Sequence, residues 1–180
     1  MRVALALTLL CAGLTACGAK APAVPGADCT GVPRLSGRVV DEAKLLPAGA
    51  RAKLTGELQR LEAATSDQLV VVTLPSLGGR PIEDVGLATG RCWGIGRKGL
   101  DNGVLLVVAP SERKVRIEVG TGLEGLLTDP RAQAIVDEAL VPAFKAGRFE
   151  SGIEAGVARI EAVLTSDKRR PQRLPPPART

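Results

Sequence analysis

Residues 103 to 119 read GVLLVVAPSERKVRIEV, and two hydrophobic periods meet inside them. Gly103 to Ala109 is a continuous apolar run rich in β-branched side chains, the pattern of a strand buried on both faces. Lys114 to Val119 alternates polar and apolar residues, the pattern of a strand with one face nearer water. Pro110-Ser111-Glu112-Arg113 between them is turn material. The stretch therefore predicts an antiparallel hairpin, one strand of which lies deep in a sheet. Upstream, Gln68 to Leu74 (QLVVVTL) is a second short apolar run of strand character. The segment from Ala48 to Thr65 places Leu54, Leu58 and Leu61 on one helical stripe, and Pro81 can open a second helix running through about Cys92. A strand, a helix and a strand in succession predict a right-handed parallel crossover, with the hairpin adding an antiparallel edge. Downstream, Thr128-Asp129-Pro130 offers an N-cap and an early proline, followed by Ala132, Ile135, Val136, Ala139 and Leu140 at helical spacing. Phe149, Ile153, Val157, Ile160 and Leu164 define a last helix. The fold class is α/β, a mixed sheet covered by helices.

The chain has 180 residues and 45% hydrophobic content, enough for one core. It contains no His and no Tyr, which excludes Ser-His-Asp triads, histidine general acid/base catalysis and His-ligated zinc. The formal charge is +5, yet Lys168, Arg169, Arg170, Arg173 and Arg179 all lie in the last thirteen residues, and the stretch before them is close to neutral. With Trp93, Phe144 and Phe149 as the only aromatic residues, there is no stacking platform, and no nucleic-acid partner is expected.

The amino terminus reads as an address. Met1-Arg2, an apolar run from Val3 to Ala12 and the ending Leu14-Thr15-Ala16-Cys17 follow a secretory layout. The run is too short to span roughly 30 Å of hydrocarbon. Leu-Thr-Ala-Cys resembles a bacterial lipobox, which implies removal of residues 1–16 and acylation of Cys17; ordinary signal cleavage further on is the alternative. Each buried acyl methylene contributes about 0.8 kcal/mol, so several chains anchor the protein to the membrane through Cys17. Gly18 follows the cysteine, which by analogy with lipoprotein sorting favours the periplasmic side of an outer membrane in a diderm host. Residues 17–33, rich in Pro, Gly and Ala, read as a flexible tether, and 166–180 as a disordered basic tail. Cys29 and Cys92 are then left as an even pair in an oxidising compartment, and a disulfide between them is expected, against the alternative of two unpaired small hydrophobes.

Between the second helix and the hairpin lies WGIGRKGLDNG (93–103), and after the hairpin comes EVGTGLEGLLTD (118–129). Gly94 to Gly99 spells G-x-G-x-x-G but follows a helix and precedes a strand, the reverse of a dinucleotide site. Together with RVVDEAKLL and PAFKAGRFESGIEAGV, these blocks resemble the signature of the TPM domain family, in order, over residues 34–165. Cys92 before Trp93 departs from the family pattern. The resemblance implies a three-layer α/β/α sandwich with about four central strands and an acidic pocket binding Ca²⁺ or Mg²⁺. Asp41, Asp101, Asn102 and Asp129 correspond to that pocket, with Glu118 and Glu124 as weaker members. Hard oxygen ligands suit such cations. Each residue also admits a plain structural role: Asp101-Asn102-Gly103 as a turn, Asp129 as an N-cap, Asp41 as a loop acceptor. Two functions follow from the resemblance: an accessory, assembly or repair module of the cell envelope acting on an envelope protein partner, or a metal-dependent acid-phosphatase-like hydrolase. In the latter, Asp101 is the candidate nucleophile and Arg97 or Lys98 neutralises phosphate charge.

Overall fold

The computed structural model describes residues 29–166. The signal segment, Cys17 and the basic tail beyond Ser166 lie outside the described residues. No described helix is long and apolar enough to cross a membrane.

Four strands form one sheet in the order β1 (Val39–Asp41), β2 (Gln68–Thr73), β3 (Gly103–Ala109) and β4 (Lys114–Val119). The first three are parallel and β4 is antiparallel to β3. β2 and β3 are the central strands, and their continuous apolar runs are almost wholly buried. β4 is the antiparallel edge, and its alternation becomes a division between faces: Val115 and Ile117 turn to one helical layer, Arg116 and Glu118 to the other. β1 has three residues, too short for a periodicity argument; it forms because Val39 and Val40 continue the sheet beside Val71 and Val72.

Leu54, Leu58 and Leu61 of α1 (Ala48–Thr65) and Ile153, Val157, Ile160 and Leu164 of α5 (Phe149–Thr165) pack on one face of the sheet. α2 (Ile82–Trp93) packs on the other, with Ile82, Val85 and Trp93 against Val70, Val72 and Leu105. The result is the three-layer α/β/α sandwich. The strands advance in one direction across the sheet while α1 and α2 lie on opposite faces, so the β1–α1–β2 and β2–α2–β3 crossovers have opposite hands. The right-handed rule therefore holds for one of them only.

The helix predicted after Thr128 is interrupted. α3 (Asp129–Ile135) passes through a π turn (Val136–Leu140) into α4 (Val141–Lys145). Pro142 is the physical cause: its ring lacks an N–H and clashes with an ordinary turn, and the wider turn relieves the crowding.

The end of the expected tether is also fixed. Cys29 is disulfide-bonded to Cys92, Val32 packs on the α2-side core, and the Trp93 indole N–H donates to the Pro33 carbonyl at 2.8 Å. Packing thus begins before Arg34.

Candidate functional site

Asn102 organises the loops at the amino end of β3. It is 2% exposed. Its amide donates to the Ser66 carbonyl (2.7 Å) and to Asp67 Oδ1 (3.1 Å), and its Oδ1 accepts the Arg97 N–H (2.9 Å). Gln68 supports the same corner by accepting the Gly96 N–H at 2.8 Å. One side chain thus ties the α1–β2 connection to the α2–β3 loop. Asp101 beside it is exposed, at φ 45°, a left-handed conformation that Asp tolerates better than most residues. Its carboxylate makes no hydrogen bond or ion pair among the described residues.

The loop after β4 closes on this corner backbone to backbone. A Cβ added at Gly122 would stand 1.8 Å from the Leu100 carbonyl oxygen, and one at Gly120 would stand 2.1 Å from that of Asp101. Only glycine permits the approach. The outcome is an open cleft of about 740 Å³ between α2 and β4, walled by glycine backbone and by Leu87, Arg91, Lys98, Asp101 and Glu118. Leu87 is 47% exposed, an unusual position for a large apolar side chain in this molecule. Glu118 lies against Gly86 of α2 and is ion-paired with Arg116 of its own strand. That pairing raises the Arg116 guanidinium above its ordinary value, chiefly through the Glu118 hydrogen bond.

The remaining acids of the expected pocket lie elsewhere. Asp41 stands at the carboxyl end of β1, level with Thr73 of β2 and hence with Val108 of β3. The five steps from Val108 back to Gly103 alone span roughly 17 Å at about 3.3 Å per residue, far beyond one ion's reach. The Asp41 side chain is fully buried. Its oxygens accept the Leu45 and Leu46 N–H groups, each at 3.0 Å, and the Thr73 hydroxyl. That is a loop-capping role. Asp129 opens α3 and lines a separate groove with Glu83, Arg116 and Gln133; Thr128 takes the N-cap position without a side-chain cap. Glu124 is exposed on the loop between β4 and α3. Asn102 is committed to protein partners. Among the described residues no three His, Cys, Asp or Glu side chains are grouped to hold a metal ion. The expected set therefore does not fit a single cation; Asp101 and Glu118 alone share a cleft.

Sequence reasoning missed Ser66, Asp67 and Gln68, which carry the corner's polar network. The run of polar residues from Thr65 to Gln68 between two apolar elements is the signal that marks them. Leu87 lies off the buried stripe of α2 and carried no such signal.

No curated protein matches the chain. Solved structures do. The N-terminal domain of a protein from P. gingivalis is 38% identical with a TM-score of 0.66, over 70% of this chain and 80% of that one. BA42 from the psychrophilic bacterium Bizionia argentinensis (21% identity, TM-score 0.60, 74% and 94% coverage) shares the fold. So does the N-terminal domain of cg2496 from Corynebacterium glutamicum (19%, 0.56, 72% and 80%). The TPM domain model matches residues 39–163, from the first strand to the last helix, so that sheet, loops and cleft all fall inside one match: the chain belongs to the TPM domain family.

Proposed function

We infer that the protein is a binding module of the cell envelope, held to the membrane through acylated Cys17, that meets an envelope partner through the glycine-walled cleft and performs no hydrolysis. The observation that carries this reading is the cleft itself: bare backbone, one exposed Leu and four charged side chains, Arg91, Lys98, Asp101 and Glu118, form a recognition surface. No activated nucleophile accompanies them. Asp101, the candidate nucleophile, has no hydrogen-bonded base beside it, and such a partner is what activation requires. The disulfide supports an oxidising compartment. A divalent cation in this cleft would be held by the Asp101 and Glu118 carboxylates, as a hydrated ion, the mode Mg²⁺ commonly adopts. Bound there, it would add positive charge beside Arg91 and Lys98 for an anionic group of the partner.

Thermal melting with and without Ca²⁺ or Mg²⁺ tests the reading, paired with hydrolysis of a generic phosphoester. The expected result is a cation-dependent rise in Tm saturating at about 10⁻⁴ to 10⁻³ M, the range of extracellular calcium modules. The rise disappears in Asp101→Asn and persists in Asp129→Asn, and no phosphoester turns over. Turnover that Asp101→Asn removes would establish the hydrolase instead. A cation response unchanged in Asp101→Asn would remove the cleft from the account.

A further inference from the structure

At the carboxyl end of β3, a second cleft of about 450 Å³ opens between the β3–β4 turn and the α4–α5 connection. Its size is that of a small-molecule site. The floor is apolar, formed by the buried Val108 and Ala109 with the partly buried Val115 and Val141. One wall carries both phenylalanines of the chain, Phe144 and Phe149, their ring centroids 5.1 Å apart. Neither ring is fully buried.

The rim is cationic. Arg113, Lys114 and Lys145 are exposed and line the cleft, and no Asp or Glu lines it. None of the three belongs to the ion pairs among the described residues, whereas Arg38, Arg51, Lys53, Arg116 and Arg159 each face a carboxylate. Like charges gathered over apolar walls attract an anion and are relieved by it.

We propose that this cleft binds a small organic anion with an apolar body, an aromatic or medium-chain aliphatic carboxylate. Its head meets Arg113, Lys114 and Lys145, and its body lies on Phe144 and Phe149. Charge complementarity sets the head group, and the aromatic wall between two flexible cations sets the body. The proposal is independent of the glycine-walled cleft, which sits at the other end of β3.

Titration of the isotope-labelled full chain with 4-phenylbutyrate, and separately with its uncharged amide, followed by NMR, tests it. Saturable shifts are expected at Lys114, Val141, Phe144 and Phe149, with the amide at least tenfold weaker. The Arg113→Glu/Lys145→Glu double variant is expected to bind at least tenfold more weakly than the parent at an unchanged Tm. Should that variant melt early, Lys145→Gln, at an exposed position, serves instead and is expected to weaken binding two- to fivefold. Absence of saturable shifts, equal affinity for the amide, or shifts clustering around Leu87 and Asp101 would overturn the proposal. So would binding to phosphatidylglycerol vesicles without binding of the soluble carboxylate, which assigns the cations to a membrane surface.

Discussion

Asn102 and Asp41 are both polar, both tied by side-chain hydrogen bonds to backbone, and both set where a strand meets a loop, Asn102 just before β3 and Asp41 at the end of β1. At Asn102 the side chain satisfies the Arg97 N–H and the Ser66 carbonyl in a region closed to water. Truncation leaves those groups without partners, at about 1–3 kcal/mol for each buried unsatisfied group. Asn102→Ala is accordingly expected to lower unfolding stability by about 2–4 kcal/mol in urea titration, while Asp101→Ala, one residue away and exposed, stays within about 0.5 kcal/mol. Equal, small effects at both positions would show that the corner is held by its glycine contacts alone. In the sequence the two residues were indistinguishable: Asp-Asn-Gly names a turn, and nothing in three letters says which side chain turns inward. The same applies to Asp41, legible as an important acid and illegible as a buried cap, because its partners Leu45, Leu46 and Thr73 are set by the pairing of β1 with β2.

Elements were far more legible than sites, because each long one writes its environment as a period. The runs 68–74 and 103–109, the alternation in 114–119 and the stripes of α1 and α5 all describe burial that the fold then provides. β1 escaped because three residues hold no period, and the π turn escaped because a helical stripe of apolar residues runs through it unbroken while Pro142 acts on the backbone alone. α5 carries one dissonant residue. Glu161 turns toward α1, where burial, and secondarily the Glu57 carboxylate, raise its pKa above the ordinary value, with Arg60 opposing. A raised carboxyl binds its proton more tightly folded than unfolded, so stability falls as pH rises through the unfolded value of about 4.3 toward the folded one. Glu161→Gln removes the ionisable group and is expected to raise Tm at pH 7, with the gain vanishing below about pH 4, where the parent is protonated in both states. A variant melting at or below the parent at pH 7 would show that burial of this carboxylate costs nothing.

At the scale of the molecule, two features act against easy assembly and one favours it. The crossovers differ in hand, and the central pairings β1–β2 and β2–β3 are parallel and non-local, so much of the sheet forms only after long loops close. The Cys29–Cys92 bridge, with a sequence separation of 63, spans β1, α1, β2 and α2 and shortens that search by tying the entry of the domain to the end of α2. Closing a loop of this length contributes about 4 kcal/mol in the chain-entropy model. The parent protein is therefore expected to lose about 2–4 kcal/mol in urea when reductant is added, with a larger m-value as the freed chain exposes more surface. The Cys29→Ser/Cys92→Ser variant should start from the reduced parent's midpoint and ignore reductant. A parent whose midpoint is unmoved by reductant, with thiol labelling confirming reduction, would show that Val32, Pro33 and Trp93 hold the amino-terminal segment without help.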